Sequence, residues 1–183
     1  MPQSDDLGMR MFRLTTHGSL GARWLLAGYA LADATYQSAL QLTAPEGDPA
    51  ADAGGRIDVR PGDHLSGIPL RNLKLGLSCR AGDDWRFDVE LQAVGRRYYG
   101  GDESNQDARL PGHATLDLHA SWQVLPRLRL RLDLRNALDR RYASFGTWYD
   151  TDSPLGRAVG SDDPRSLTPG RPRALYATAR FSF

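Results

Sequence analysis

The chain has 183 residues, a formal net charge of +1 and one cysteine, Cys79. That length holds one or two ordinary domains, and a charge so near neutral excludes a strongly basic nucleic-acid surface. A lone cysteine excludes an internal disulfide and a zinc-type cysteine cluster, and the lack of any apolar run of about 18 residues excludes a transmembrane helix while leaving membrane-crossing strands open.

The opening MPQSDDLGMR has no basic region followed by an apolar one, so it is not expected to be a secretory signal peptide. Met9–Ser19 and Arg23–Gln37 predict two imperfectly alternating strands around a tight turn at Leu20–Ala22. A long Gly-, Pro-, Ala- and Asp-rich connection follows, about Ser38–Asp63. Asn72–Arg80 (NLKLGLSCR) and Trp85–Ala93 (WRFDVELQA) alternate cleanly across the tight turn AGDD, Ala81–Asp84. A second long connection, GGDESNQDARLPG, begins at Gly100. His113–Val124 then places Ala114, Leu116, Leu118, Ala120 and Trp122 on one parity and Thr115, Asp117, His119 and Ser121 on the other. After a tight turn at Leu125 and Pro126 comes LRLRLDLRN, Leu128–Asn136. A helix would scatter its leucines and arginines around a cylinder, whereas a strand sorts them onto two faces. A third long connection, about Phe145–Gly170, precedes the last strand, ALYATARFSF.

The expected fold is therefore all-β, an antiparallel up-and-down meander of about seven strands, with tight turns at one end and long loops at the other. Outer-membrane barrels have this asymmetry. Aromatic residues are expected to form two girdles. Trp24, Trp85, Trp122, Phe181 and Phe183 would stand at the tight-turn end, and Tyr36, Tyr98, Tyr99 and Tyr142 at the loop end. The leucine rows would face lipid, and Arg129, Arg131, Asp133, Arg135, Asp117 and His119 a wet lumen where opposite charges pair. Seven strands in lipid would leave two unpaired edges, which is prohibitive. The chain is therefore expected to be the C-terminal part of a larger barrel.

The stretch YYGGDESNQDARLPGHATLDLHASW, followed by RLDLRNALDRRYASFGTWYDT, resembles the C-terminal barrel region of TonB-dependent outer-membrane receptors. Tyr98, Tyr99, Leu110, Pro111 and Gly112 match that family's tyrosine-rich strand end and LPG, with His113 where an aromatic is usual. Asn136, Leu138, Asp139, Arg140 and Tyr142 match its N-L-F/L-D-R/K-x-Y motif, and SLTPGRPRALYATARFSF resembles its last loop and strand. The likeness runs from about Arg23 to the end. It implies one segment, residues 1–183, of a barrel of about 22 strands in the outer membrane of a Gram-negative bacterium. The plug domain, TonB box and signal peptide are expected to be absent from this segment. The implied cargo is a ferric siderophore or a similar large nutrient. The implied partners are outer-membrane lipid, the barrel-assembly machinery through Phe183, and TonB–ExbB–ExbD through the missing N-terminal part.

Other chemistry is weaker. His113 and His119 share a face with Asp117 between them, but six residues of strand separate them by about 20 Å, so they cannot bind one metal ion. No metal site and no cofactor is expected, and His17 and His64 read as ordinary lumen or rim residues. Asp150, Asp152, Ser153, Asp162 and Asp163 are oxygen-rich but lack the spacing of a calcium loop, and read as solvated turns. No G-x-S-x-G elbow and no nucleophile beside a base is present, so the chain is not expected to be an enzyme. Ligand contact is expected in the long loops, at Asp102, Glu103, Asp107 and Arg109 and at Trp148, Tyr149 and Arg157. The alternative from the same pattern is a small structural or adhesive β-protein, a small barrel or soluble sandwich, with no transport role.

Overall fold

The computed structural model describes residues 7–44, 48–148 and 163–183. Eleven strands follow one another, and no described residue is helical. They are β1 (Leu7–Leu20), β2 (Arg23–Tyr36), β3 (Leu40–Thr43), β4 (Arg56–Val59), β5 (Arg71–Ala81) and β6 (Trp85–Val94), then β7 (His113–Leu125), β8 (Leu128–Arg135), β9 (Ala143–Trp148), β10 (Arg165–Pro169) and β11 (Ala174–Phe181). Seven of them form one antiparallel sheet in the order β1-β2-β5-β6-β7-β8-β11. This is the expected meander. The remaining strands make two short hairpins, β3–β4 and β9–β10, inside stretches that the sequence presents as plain loops.

The register explains why the sheet has two unlike faces. One row of partners across it is Leu25, Leu77, Val89, Leu118, Leu134 and Leu175. The adjoining row, one residue along, is Trp24, Ser78, Asp88, His119, Asp133 and Tyr176. Paired residues share a face and successive residues alternate, so a one-residue step passes from an apolar surface to a polar one. A slip of one residue would exchange the two faces completely.

The sheet's own leucines do not form a core. Leu25 is 53% exposed, Leu77 45% and Leu175 67%. No second layer of described residues covers the apolar face, and β1 and β11 pair on one side only. The arrangement is a partial, unclosed barrel. The sandwich and small-barrel alternatives therefore fail, the first for want of a second packed sheet and the second for want of closure. At the tight-turn end Trp85 and Trp122 are direct partners and stack with ring centroids 5.1 Å apart.

Backbone geometry fixes both kinds of connection. The β5–β6 turn passes through Gly82 at φ 66, a left-handed conformation that costs glycine little. At the loop end, a Cβ on Gly112 would lie 2.6 Å from the Val94 carbonyl oxygen. The glycine of the LPG stretch is thus required because the chain entering β7 touches the chain leaving β6.

Small dry clusters lie in the loops instead. Tyr99, Leu110 and Trp148 pack together with Ala143 against them, and Ile57 and Val59 of β4 are each 1% exposed. The loop end of the sheet is therefore a packed layer.

Candidate functional site: the polar wall and its loop layer

The polar face is a wall of paired charges. Arg131 Nε donates to Asp133 at 2.7 Å, and the same carboxylate holds Nδ1 of His119, its direct partner on β7. Arg135 Nη1 donates to Asp117 at 2.7 Å, and Arg86 Nε to Asp88 at 3.0 Å. Arg129 Nε reaches Gln123 at 2.8 Å. Arg129, Arg131, Asp133, Arg135, Asp117 and His119 share one face of the sheet. An open recess of about 410 Å³ lies on this wall, with Trp24, Asp88, Glu90, His119 and Arg131 in its lining.

Trp24 is therefore not part of the apolar girdle. It pairs with Ser78 in the polar row, because both parities of β2 are apolar and only the pairing with β5 assigns its face. The loop-end tyrosines need the same correction. Tyr36 lies on the polar parity, is 5% exposed and donates its hydroxyl to Glu103 at 3.0 Å. β6 ends at Val94, so Tyr98 and Tyr99 lie beyond it in the loop layer. Tyr98 carries the Arg109 guanidinium 4.5 Å above its ring, and Tyr99 packs on Trp148. Tyr142 stacks on His113 at 3.9 Å, above the polar wall. On the apolar face Trp85, Trp122, Phe87 and Phe181 stand toward the tight-turn end, and Phe12 and Tyr29 farther along β1 and β2.

The loops are stitched to one another. Glu103 accepts from Tyr36 and from both the backbone N–H and the hydroxyl of Ser66. Asn105, at φ 56, accepts from His64 N at 2.6 Å and donates to His64 O at 2.8 Å. Thr147 of β9 donates to the Gly100 carbonyl at 2.9 Å, and Arg97 donates to the Ser144 carbonyl. The segments around residues 64–66 and 97–110 and the β9–β10 hairpin thus hold together.

This geometry redistributes the predicted ligand contacts. Asp102 is fully buried and closes its own turn by accepting from Gln106 N and Asp107 N, so it offers a ligand no surface. Glu103 is committed to Tyr36 and Ser66, and Trp148 is 8% exposed in the Tyr99 cluster. Asp107 is half-buried beside Asp102. Arg109 is exposed, propped on Tyr98. Tyr149 and Arg157 lie outside the described residues, as do Asp150, Asp152, Ser153 and Asp162.

The sequence pattern of the family "TonB dependent receptor-like, beta-barrel" matches residues 12–137. The chain belongs to the TonB-dependent receptor β-barrel family. Among solved structures it is similar to the siderophore receptor PiuA from Acinetobacter baumannii, at 17% identity and TM-score 0.71, over 95% of this chain and 22% of that one. It is likewise similar to the ferric-catecholate import receptor Fiu from E. coli K12, at 19% identity and TM-score 0.65, over 96% and 21%. FpvA of P. aeruginosa, in a structure with a heterologous pyoverdine and iron, gives 16% identity and TM-score 0.64, over 97% and 20%. These likenesses show the fold. The chain spans about a fifth of each of those proteins. No curated protein matches it.

The family's asparagine motif acquires a physical role here. Asn136 is 2% exposed at φ 47, donates to the Arg140 and Arg171 carbonyls and accepts from Arg140 N. Its own N–H reaches Asp117 at 2.8 Å. One side chain therefore closes the turn after β8 and ties it to the lead-in of β11. Tyr142 of the same motif packs against Gly170, where a Cβ would lie 2.3 Å from its ring.

The buried Asp102 carboxyl makes the stability of this loop layer expected to depend on pH. Burial, and then the Asp107 charge, push the Asp102 carboxyl up from 3.8 to about 6. Folded protein then holds a proton that the unfolded chain releases, so this contribution to stability is complete below about 4 and is lost as pH rises through about 6. Amide-exchange protection of residues 102–107 is expected to be greater at pH 5 than at pH 7.5, and Asp102→Asn should remove the difference. Equal protection at both pH values in the unmodified chain would contradict this assignment.

Proposed function

We propose that the chain forms the C-terminal wall of an outer-membrane receptor that takes up a ferric siderophore or a similar large nutrient. In this reading the apolar face meets lipid, the polar wall lines a wet lumen, and the free edges of β1 and β11 pair with the rest of the barrel. Uptake is energised through TonB–ExbB–ExbD acting on a plug domain, and the terminal Phe183 engages the barrel-assembly machinery. The observation that carries the proposal is a single-layer meander of a barrel family, with one bare leucine face and one ion-paired face. Water-filled barrels tolerate charged interiors in that way. Siderophore or related cargo is supported by the likeness to the siderophore receptor PiuA and the ferric-catecholate import receptor Fiu, and Arg109 on Tyr98 supplies a cationic, aromatic contact suited to anionic or planar ligands.

The test is a blot of fractionated cells with an antibody raised against GGDESNQDARLPG, grown with and without iron limitation. An outer-membrane band whose mobility shifts on boiling, together with loss of ferric-siderophore uptake on deletion, is the expected result. A soluble band would sink the membrane assignment. A membrane band without any uptake defect would sink the cargo alone.

A further inference from the structure

On the wall, Glu90, an acid outside the ion pairs, stands beside Asp117 and His119, which are both held from β8. Glu90 on β6 is the direct partner of Asp117 on β7, and His119 follows on the same face of β7. One donor atom from each of Glu90, Asp117 and His119 lies within 4.8 Å of the others. Reading β7 alone finds only His113 and His119, too far apart to share an ion; the partner that matters is across the ladder, on another strand.

From this juxtaposition we propose a binding site for one borderline divalent metal ion, of the zinc type, that clasps β6 to β7 through Glu90, Asp117 and His119. Two carboxylates and one imidazole suit such an ion, with water completing its shell. An independent observation points the same way. The His119 side chain is 4% exposed, its Nδ1 is held by Asp133, and its Nε2 has no hydrogen-bond partner among the described residues. A carboxylate on one ring nitrogen, orienting the other toward a metal, is the usual support of a metal-binding histidine. Asp133 is itself held by Arg131. Asp117 is held by Arg135 and by Asn136 N, and each oxygen keeps a lone pair to offer. Charge balance also favours a cation. Arg86, Arg131 and Arg135 each have their own aspartate, which leaves Glu90 as the acid of this group with no ion pair among the described residues. The inference rests on the wall's geometry and not on the uptake reading.

The complete gene product, purified in detergent and stripped with a chelator, should be titrated with zinc by calorimetry and with cobalt by visible absorption. One saturable equivalent is expected, with cobalt bands of a nitrogen- and oxygen-ligated ion. Glu90→Gln and His119→Gln should each weaken binding about tenfold or more, and Asp133→Asn about 10- to 100-fold. Glu90 is exposed, so its variant should keep the boiling-dependent mobility of the parent and decides the matter if the His119 variant does not assemble. Absence of a saturable equivalent, or unchanged affinity in Glu90→Gln, overturns the proposal.

Discussion

Leu132→Arg is expected to abolish assembly into the outer membrane, while Leu132→Ala leaves it nearly intact. Leu132 lies midway along β8, is 51% exposed, and stands between Ala120 and Ala177, two side chains too short to shield a charge. If this face meets lipid, an arginine near the bilayer centre costs about 2–4 kcal/mol. A soluble sheet would tolerate an arginine at a half-exposed position with little change. The measurement is the amount of protein in the outer-membrane fraction that shows a boiling-dependent mobility shift. Wild-type assembly by the arginine variant would mean that the leucine face is wet.

Glu103→Ala is expected to release the loop layer without affecting the sheet. Its carboxylate accepts three hydrogen bonds, from a nearly buried Tyr36 hydroxyl and from the N–H and hydroxyl of Ser66. Leaving a buried donor unpaired costs about 1–3 kcal/mol, and the two ends of this link lie on different loops. Protease added to intact cells should therefore cleave within residues 100–112 of the variant much faster than in the parent, with the level of assembled barrel unchanged. Glu103→Gln keeps one acceptor oxygen and should fall between. Equal resistance of Glu103→Ala and parent would show that the loops are held by something other than this carboxylate.

The strands were legible because each half-wet strand carries its own two-residue period, from the clean LRLRLDLR to the weaker Met9–Ser19. Face assignment was legible only where the two parities differ. In β2 both are apolar, Trp24, Leu26 and Ala30 against Leu25, Ala27 and Leu31, so the pattern of that strand does not assign a face to Trp24, and its pairing with Ser78 does. The hairpins β3–β4 and β9–β10 are not legible in the sequence because strands of four to six residues give too short a run for a period to register. The positions of the tyrosines are hidden from the sequence for another reason. Their nearness to strand ends is visible in sequence, but the folding of the loops back over the polar wall is not. Glu90 escaped because its neighbour Asp117 is defined by register, a relation between strands that a single strand's pattern does not contain.

The stitched loop layer also has an entropic consequence. Connections of this length, if slack, would have to be frozen by whatever binds them, at about 0.5–1.5 kcal/mol for each long side chain immobilised. Here much of that ordering is complete before any ligand arrives. Asn105 fastens the chain at His64, the β9–β10 hairpin is fastened at Gly100, and Tyr98 already holds the Arg109 guanidinium in one direction. A cargo meeting these loops would spend little of its contact energy on organising them, so affinity at the mouth of such a receptor would depend on the fit of a preset surface more than on the number of contacts made.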